Sequence, residues 1–385
     1  REGLVAQFPE HHWTQLVLPG HHFSWRIRGN SMQWALGERD CLERHYDLLI
    51  ATSMVDLASL KGMVPNLASI PSILYFHENQ FLYPHSQAHQ HRHLDPKMVT
   101  LYGALAADTL VFNSRYNQQS FITGVDRLLR RLPERMPLNV AQLLEQKSRV
   151  LAVALNPLDK ATGYDTVWST READHRPVRL VWAARWEYDK GPKQLHNLLT
   201  QLVTTGVRFE LCVLGQQFRQ QPIEFEQIAT EFSSHIVQFG YAESRHHYLS
   251  WLAGADMVLS TALHEFQGLS VLEAVQLGCI PVLPNRLVYP EFFAADYLYT
   301  SNLDAPDKES MAAATLIEKL GRALDQGNSA ATSVEHLTWP VMKPKYEKLF
   351  KCYYPGLTPP EWSLIPNESL MKLCKVFYNR DDNKN

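Results

Sequence analysis

The sequence lacks the features that mark several protein classes. Its five cysteines show no C-x-x-C spacing, which argues against a disulfide framework or a thiolate metal site. No apolar run approaches the roughly 20 residues that cross a bilayer, and no signal peptide is visible. The formal net charge of −3 argues against a broadly basic nucleic-acid binder, although a local basic patch stays possible. We therefore expect a cytoplasmic protein with reduced thiols.

The sequence contains enough hydrophobic residues to form two domains. With 45% hydrophobic residues in 385, the chain can form two α/β domains that each have a core. We predict an N-terminal Rossmann-like domain over residues 1–155, a polar linker over 156–176 and a second Rossmann-like domain over 177–350. Residues 351–385, Pro-rich and then charged, are expected to form an appendage. The strand and ligand-binding turn that normally open a Rossmann-like domain are not found ahead of the first strand-like run.

One stretch, STALHEFQGLSVLEAVQLGCIPVLP, organises the second domain as a loop, a helix and a strand that follow an apolar strand. Gly268 allows a ligand to approach the backbone, and the N–H groups of Leu269 and Ser270 lie at the positive end of the helix, where a phosphate is stabilised. Glu265 and Glu273 lie on either side of this helix start and can reach the hydroxyls of the same ligand. Alone, the pattern is also that of an ordinary β-α-β unit with surface carboxylates.

A second stretch supplies positive charge. The strand pattern VRLVWA leads directly into ARWEYDKGP, which carries Arg185 and Lys190 across a short loop. The planar fork of Arg and the point charge of Lys both suit a pyrophosphate that gains negative charge as its bond to a sugar breaks. Without the first stretch, this pair would be read as a solvated loop.

Other strand ends add candidate ligand contacts. Gly215 and the pair Gly240 and Tyr241 follow predicted strands, where backbone groups can read a base edge. In the first domain, polar residues stand at the ends of two predicted strands, where doubly wound sheets bind ligands. These residues are His77, Glu78, Asn79, Gln80, Asn113 and Ser114. The alternative for them is a capped strand end.

Two basic groups could contact nucleic acid. Arg26 and Arg28 alternate with tryptophans in a predicted loop, an arrangement that can stack on bases and hold phosphates, although packing against a sheet is equally compatible. A second group lies at helical spacing, and its alternative is a solvated helix face. It comprises Arg127, Arg130, Arg131 and Arg135.

A third cluster, His85, His89, His91 and His93, could suggest a metal. The carboxylates and cysteines that usually complete a metal site are not clustered with these histidines. We interpret the segment as a mobile loop and expect no metal and no cofactor.

Together these motifs resemble a known family. R-x4-K-G followed by E-x-x-G-x-x-x-x-E is similar to the donor site of retaining nucleotide-sugar glycosyltransferases of the GT-B fold, in which two Rossmann-like domains face an interdomain cleft. HEN, FNS, RWEYDK, HEFQG, LEAVQLGC and LVYPEFF together resemble the tRNA-queuosine mannosyltransferases over roughly residues 1–350. The resemblance implies transfer of mannose from GDP-mannose to the cyclopentenediol of queuosine at the wobble position of tRNA-Asp.

The resemblance also implies roles for residues. Arg185, Lys190 and the helix start would hold the diphosphate, Glu273 the ribose, and Glu265 and His77 the transferred sugar. Glu78, Asn79, Gln80, Asn113, Ser114 and the arginines named above would serve the acceptor. Two other functions stay open: a GT-B enzyme with another nucleotide sugar and a lipid, glycan or small-molecule acceptor, and a non-catalytic RNA-binding protein on the same scaffold. The intact set of charged donor-site residues disfavours the second.

Overall fold

The structure is a computed structural model, and the residues it describes form two compact units. These residues are 2–18, 23–82, 94–132, 139–159, 163–165, 167–168, 177–217, 221–327, 332–353 and 372–378. Unit 1 lies within residues 1–154 and 339–385, and unit 2 within 155–338. Within these ranges, no helix is long and apolar enough to cross a membrane.

Unit 1 is built on a six-stranded sheet in which every neighbouring pair is parallel, in the order β1-β12-β2-β3-β4-β5. The strands are β1 (His12–Leu18), β2 (Leu48–Thr52), β3 (Ser72–Phe76), β4 (Thr109–Phe112), β5 (Ser148–Val150) and β12 (Lys372–Tyr378). The helices are α1 (Glu2–Gln7), α2 (Phe23–Gly37), α3 (Arg39–Leu42), α4 (Leu57–Met63), α5 (Leu94–Ala106), α6 (Arg115–Leu129), α7 (Val140–Gln146) and α14 (Trp339–Lys351).

The central strands of unit 1 read as continuous apolar runs because they are covered on both faces. Every residue of β2 and β3 is buried. The core contains a cluster of rings in which Phe76 stacks on Phe112 at 4.3 Å and lies tilted against Phe121 at 4.7 Å, measured between ring centroids. Because β3 and β4 pair in parallel, with Phe76 opposite Phe112, their carboxyl ends lie side by side.

The C-terminal part of the chain corrects the predicted domain boundaries. Helix α14 was expected to close the second domain, but it belongs to unit 1, where Trp339 and Phe350 pack against Phe8. The predicted appendage contributes β12, which pairs in parallel with both β1 and β2. The last strand that the structure describes therefore lies inside the sheet of unit 1.

Unit 2 also contains a six-stranded parallel sheet, in the order β11-β10-β9-β6-β7-β8. The strands are β6 (Val178–Ala183), β7 (Phe209–Leu214), β8 (Ile236–Gly240), β9 (Met257–Leu259), β10 (Ile280–Pro284) and β11 (Leu298–Tyr299). The helices are α8 (Pro192–Thr204), α9 (Glu224–Glu231), α10 (Arg245–Gly254), α11 (Leu269–Gln276), α12 (Tyr289–Phe292) and α13 (Pro306–Asp325).

The strand order of unit 2 reverses at one place. From β6 the chain proceeds outward through β7 and β8, then returns to the other side of β6 with β9. The loops after β6 and β9 therefore diverge at the carboxyl edge of the sheet, where open α/β sheets bind ligands. These two loops carry the charged motifs that the sequence singled out.

The predicted linker is partly packed. Trp168 is 4% exposed, its indole N–H donates to the carbonyl of Trp251, and its ring lies 5.3 Å from the guanidinium carbon of Arg179. An amphipathic indole buries its rings while its N–H keeps a partner. This part of the segment is therefore attached to unit 2.

Candidate active site

The loops after β6 and β9 are joined by a chain of hydrogen bonds. Trp182 at the end of β6 donates its indole N–H to the Thr261 hydroxyl at 3.0 Å, and that hydroxyl donates to the carbonyl of Lys190 at 3.0 Å. The backbone N–H groups of Leu263 and His264 both donate to the carbonyl of Asp189. The two loops thus form one connected surface.

Lys190 lies at the centre of this surface. Its ammonium donates to the carbonyl of His264 at 2.9 Å and lies 3.2 Å from Asp189 Oδ2 and 3.3 Å from Glu265 Oε2. Burial lowers the pKa of the ammonium, but the Glu265 and Asp189 carboxylates outweigh burial and raise the pKa above its ordinary value. Lys190 is therefore a fixed positive charge.

Glu265 is held in its charged form. Its Oε1 accepts the N–H groups of Phe266 at 3.0 Å and Gln267 at 3.3 Å, and its Oε2 accepts from Lys190. Burial acts to raise the pKa of this carboxyl, but Lys190 and the backbone N–H groups around Gly268 lower it below its ordinary value. Both carboxylate oxygens accept hydrogen bonds, which lowers their nucleophilicity toward a sugar carbon.

Arg185 is the second cation of the surface and is more accessible. Its guanidinium lies 2.8 Å from the Glu187 carboxylate, and the Arg185 side chain is 29% exposed. A phosphate can compete with a carboxylate for the same planar fork of donors. Arg185 is thus available to an anionic ligand at the edge of the site.

The start of α11 has the geometry of a phosphate cradle. Gly268 has φ +72°, a left-handed conformation that favours glycine, and a Cβ there would meet the Tyr289 ring at 3.2 Å. The first helical hydrogen bond runs from the N–H of Leu272 to the carbonyl of Gly268, so the N–H groups of Leu269 and Ser270 precede it. The Ser270 hydroxyl donates to the carbonyl of Ala183, which attaches this helix start to β6.

Glu273 lies in the second turn of α11 and pairs with a residue that the sequence interpretation missed. Arg245 donates to both Glu273 oxygens, at 3.0 and 2.5 Å. The Glu273 side chain is 21% exposed, so a ligand can still reach it. Glu273 and Arg245 are 28 residues apart, and nothing in the local pattern of either indicated the pair.

The predicted base-reading residues lie at the neighbouring strand ends of unit 2. The N–H of Gly215 donates to the carbonyl of Gly240 at 3.1 Å, which joins the ends of β7 and β8. Tyr241 follows and is 71% exposed, so its ring is free to contact a flat ligand.

A buried clamp, also missed from sequence, fixes the loop after β9. Arg286 donates to the carbonyls of Ala262 and Thr261 at 3.0 and 3.2 Å, and to Glu309 at 2.8 Å. The next residue, Leu287, has φ +61°, which is rare for a large side chain. Arg286, next to this turn, thus ties the start of the loop that carries Glu265 to Glu309 on α13.

In unit 1 the predicted acceptor residues divide into exposed and buried ones. His77 is exposed and its ring lies 4.7 Å from that of Tyr75, while Glu78 and Gln80 are half-buried. The remaining three, Asn79, Asn113 and Ser114, are at most 3% exposed.

These buried side chains are used by the fold. Asn113 donates to the carbonyl of His77 at 2.9 Å, Asn79 donates to Asn117 at 2.8 Å, and Ser114 accepts the N–H of Asn117 as the cap of α6. In the structure these three side chains therefore hold the carboxyl ends of β3 and β4 together, and Asn113 holds the backbone of His77; their contact with an acceptor stays a prediction.

The basic groups of unit 1 also differ from expectation. Arg26 and Arg28 lie on helix α2 rather than in a loop, and Arg26 is 9% exposed and donates to Gln33. Arg28 is more than half exposed. Arg127, Arg130 and Arg131 are exposed at the end of α6, and Arg135 lies outside the described residues.

No group of three His, Cys, Asp or Glu side chains able to hold a metal ion occurs among the residues that the structure describes. The His-rich segment with His85, His89, His91 and His93 lies outside them. Cys212 and Cys279 are buried thiols, as predicted; Cys212 lies in β7, and Cys279, directly before β10, donates to the carbonyl of Leu252.

Comparison with known proteins finds a family profile for most of each unit. Residues 1–155 match the family profile described as the tRNA-queuosine alpha-mannosyltransferase N-terminal domain, and residues 170–324 match glycosyl transferases group 1. The chain is 37% identical over 291 residues to a tRNA-queuosine alpha-mannosyltransferase of Drosophila melanogaster, covering 74% of this chain and 75% of the relative.

Solved structures show the same fold at low identity. Sucrose-phosphate synthase from Thermosynechococcus elongatus is 14% identical with a TM-score of 0.55, over 85% of this chain and 78% of that one. The Anabaena protein HepE in complex with UDP is 14% identical with a TM-score of 0.56, over 85% and 82%. These similarities confirm the predicted GT-B fold.

Proposed function

The chain belongs to the tRNA-queuosine alpha-mannosyltransferase family, and on this premise we propose that it transfers mannose from GDP-mannose to queuosine in tRNA-Asp, with retention at the sugar carbon. It is a glycosyltransferase, and the proposal adds the donor, the acceptor position and the stereochemistry. The observation that supports a nucleotide-sugar donor most directly is the convergence of Lys190, Arg185 and the start of α11 on one loop surface.

The proposed chemistry uses charges that are already in place. Lys190 and Arg185 would neutralise the diphosphate as the bond between phosphate and sugar breaks, and the N–H groups at the start of α11 would hold its oxygens. Fixed donors of this kind stabilise a leaving charge without reorganisation. Neither a metal nor a cofactor is proposed.

Retention is proposed to occur by attack on the same face from which the diphosphate leaves. Glu265 is a poor nucleophile because both of its oxygens accept hydrogen bonds. Its better role is to accept a hydroxyl of the sugar. The departing phosphate oxygen would take the proton of the attacking queuosine hydroxyl, so that the new glycosidic bond forms as the old one breaks. His77 is proposed to contact the transferred sugar.

The test incubates the chain with radiolabelled GDP-mannose and with tRNA-Asp that either carries queuosine or retains guanosine at the wobble position. We expect label on the queuosine-containing tRNA alone, and its release by an α-specific mannosidase. UDP-glucose and UDP-N-acetylglucosamine are tested in parallel. Transfer to both tRNAs, or transfer only from a UDP-sugar, would refute the corresponding half of the proposal. Release by a β-specific enzyme instead would refute retention.

A further inference from the structure

Helix α2 of unit 1 carries a buried arginine that has no counter-ion among the residues that the structure describes. Arg26 is 9% exposed, and its side chain makes one hydrogen bond to a described residue, from Nη1 to Gln33 Oε1 at 2.8 Å. A guanidinium has five N–H donors. The Nε donor of Arg26 is buried and has no partner in the described part of the chain. The positive charge of Arg26 is therefore left without an anion.

Two comparably buried arginines of unit 2 show the usual arrangement. Arg179 is 8% exposed and lies 3.2 Å from the carboxylate of Glu210. Arg286, with a side chain that is 11% exposed, lies 2.8 Å from the carboxylate of Glu309. A guanidinium stays charged in proteins, so its burial without an anion destabilises the fold. A fold tolerates such a cost at a site where a ligand supplies the missing charge. The geometry at Arg26 thus favours an anionic ligand.

An exposed aromatic ring lies beside this guanidinium on the same side of the helix. Trp25 is 57% exposed, and a Cβ at Gly29 would meet its ring at 2.6 Å, so the indole folds back against the helix backbone one turn further on. Gly29 lies one turn before Gln33, the residue that accepts from Arg26. The Trp25 ring and the Arg26 guanidinium are therefore neighbours along one edge of α2.

A nucleotide of an RNA chain has both chemical features that this edge calls for. Its phosphate is an anion that matches the planar fork of an arginine, and its base has a flat face that stacks on an aromatic ring. Arg28 lies one turn from Trp25 and is 54% exposed, so it adds positive charge to the same stretch of helix. A base must be unpaired to stack on a side chain, and RNA loops supply such bases.

We propose that Trp25 and Arg26 form a binding site for one unpaired nucleotide of the acceptor tRNA, with the Trp25 ring stacked on the base and the Arg26 guanidinium bound to a phosphate. The inference rests on the proposed tRNA acceptor, but not on the identity of the donor sugar. It adds a contact that exposed arginines alone do not provide, because a stacked base distinguishes the anticodon loop from a paired stem.

The first experiment measures the affinity of each variant for queuosine-containing tRNA-Asp at several salt concentrations, together with its unfolding temperature. Arg26→Met should weaken binding about tenfold and lower the slope of log affinity against log salt concentration by about one, because one phosphate contact is lost. Its unfolding temperature should stay equal or rise, because the variant removes a buried charge that has no partner. A lower unfolding temperature with unchanged tRNA affinity would show that Arg26 serves the fold alone and would overturn the proposal.

Trp25 gives an independent test, because an exposed side chain can be replaced without unfolding the protein. Trp25→Ala should weaken tRNA binding about 10–100-fold, the usual cost of one lost stacking contact, and should leave the salt slope unchanged. Trp25→Phe should keep most of the affinity, since a smaller ring still stacks. Unchanged affinity in Trp25→Ala would refute the stacking contact.

An anticodon stem-loop in which each loop base is removed in turn locates the stacked base. One abasic position should cost the wild type about tenfold in affinity and Trp25→Ala at most about twofold, because the two changes remove the same contact. Equal losses in both proteins at every position would show that Trp25 stacks on none of these bases, and would overturn the proposal.

Two variants serve as matched controls. Arg39→Met removes an exposed arginine that pairs with Glu43, and Tyr102→Ala removes a ring on α5 that is 49% exposed. Both should leave tRNA affinity and its salt slope unchanged. The affinity for GDP should be unchanged in every variant, and its loss in Arg26→Met would assign the guanidinium to the donor diphosphate instead. Self-association that is lost in Trp25→Ala with tRNA affinity unchanged would show that α2 contacts a second copy of the chain, and would overturn the RNA site.

This proposal and the proposed function fail in different ways. Binding of tRNA that depends on Trp25 and Arg26, without transfer of mannose, would refute the donor and support the site on α2. Transfer of mannose to tRNA, with wild-type tRNA affinity in both variants, would support the proposed function and refute the site. Absence of tRNA binding by the wild type would refute both.

Discussion

The carboxylate of Glu265 lies 3.3 Å from the ammonium of Lys190, so that the acidic loop after β9 and the basic loop after β6 stabilise each other. Asp189 adds a second carboxylate, 3.2 Å from the same ammonium. The lysine placed to meet a diphosphate is therefore also the counter-ion of the buried Asp189 carboxylate and the partly buried Glu265 carboxylate. The charge of Lys190 therefore serves both diphosphate binding and folding. Comparing variants of Lys190 and Arg185 should separate the effect on activity from the effect on stability.

Replacing Arg185 with Met should reduce transfer by about 10²–10³-fold with a smaller loss of stability, because the Arg185 and Glu187 side chains are both partly exposed, at 29% and 27%, and such pairs contribute about 1 kcal/mol. Lys190→Met should lose as much activity and also about 3–5 kcal/mol of stability, because it leaves the buried Asp189 and the partly buried Glu265 without their shared counter-ion. Steady-state kinetics and urea unfolding measure both effects, with exposed Lys308→Met as the control. Equal stability of the two site variants would contradict the assignment.

The pH dependence of stability should show the charge on Glu265. Its pKa is lower in the folded chain than its ordinary value of 4.5. Its contribution is therefore fully present above that value and is lost as the pH falls through the folded pKa. The difference in unfolding temperature between the wild type and Glu265→Gln should accordingly shrink between pH 7 and pH 3. A difference that stays constant over this range would show that the carboxylate is not ionised by the fold.

Gly191 should be much less replaceable than another glycine of the same conformation. It has φ +70°, and a Cβ there would lie 2.0 Å from the carbonyl oxygen of Thr261, whereas Gly206, at φ +72°, has nothing within 4 Å of its added Cβ. Gly206→Ala should cost roughly 1–2 kcal/mol for the left-handed backbone alone. Gly191→Ala should cost clearly more and weaken binding of nucleoside diphosphate, because the Thr261 loop must move. Urea unfolding curves give the comparison; similar costs would contradict it.

The strands of the second unit were predictable because they are buried on both faces. Val178–Ala183 and Phe209–Leu214 are apolar runs broken only by Arg179 and Glu210, which pair with each other, and their predicted bounds are those of the structure. The charged residues after such strands could be found because parallel strands bring their carboxyl ends to one edge. The alternation of strand and helix predicts a parallel sheet. The loops after β6 and β9 then lie at one edge of it, which brings together Arg185, Lys190 and Glu265.

Other features depended on contacts that no local pattern carries. The pair of Arg245 with Glu273 spans two successive β-α units, and Arg286 reaches under a loop more than 20 residues away. Helix α2 was missed because its apolar residues do not form one clear stripe, and interleaved Trp and Arg suggested a loop. Strand β12 was missed because its pairing with β1 joins opposite ends of the chain. Asn113 is buried and donates to the carbonyl of His77, a contact between two strand ends that the pattern of either strand alone does not indicate.

Transfer should persist in the presence of EDTA. The site supplies two side-chain cations and a helix start where a metal-dependent enzyme would use a divalent ion to neutralise the diphosphate. Transfer rates are compared in buffer, in excess EDTA and in EDTA followed by Mn²⁺ or Mg²⁺. Activity lost with the chelator and restored by either ion would contradict this, and would make His85, His89, His91 and His93 the first residues to replace.

Charge reversal should identify the surface that meets tRNA. The chain carries a net charge of −3, so binding of a polyanion requires a local cationic surface, and Arg130 and Arg131 are exposed at the end of α6. Arg26 is unsuited to this test because it is buried, which leaves Arg28 as the exposed candidate on α2. Every phosphate contact releases counterions when tRNA binds. Arg130→Glu/Arg131→Glu should therefore weaken tRNA binding and reduce the slope of log affinity against log salt concentration by about one or more. Binding of GDP should be unchanged, because these residues belong to unit 1 and the nucleotide site is built by unit 2.

Affinities for tRNA at several salt concentrations, with Arg28→Glu measured beside the double variant, show which helix contributes. If both variants keep the wild-type slope, the phosphates of the tRNA are bound elsewhere on the protein.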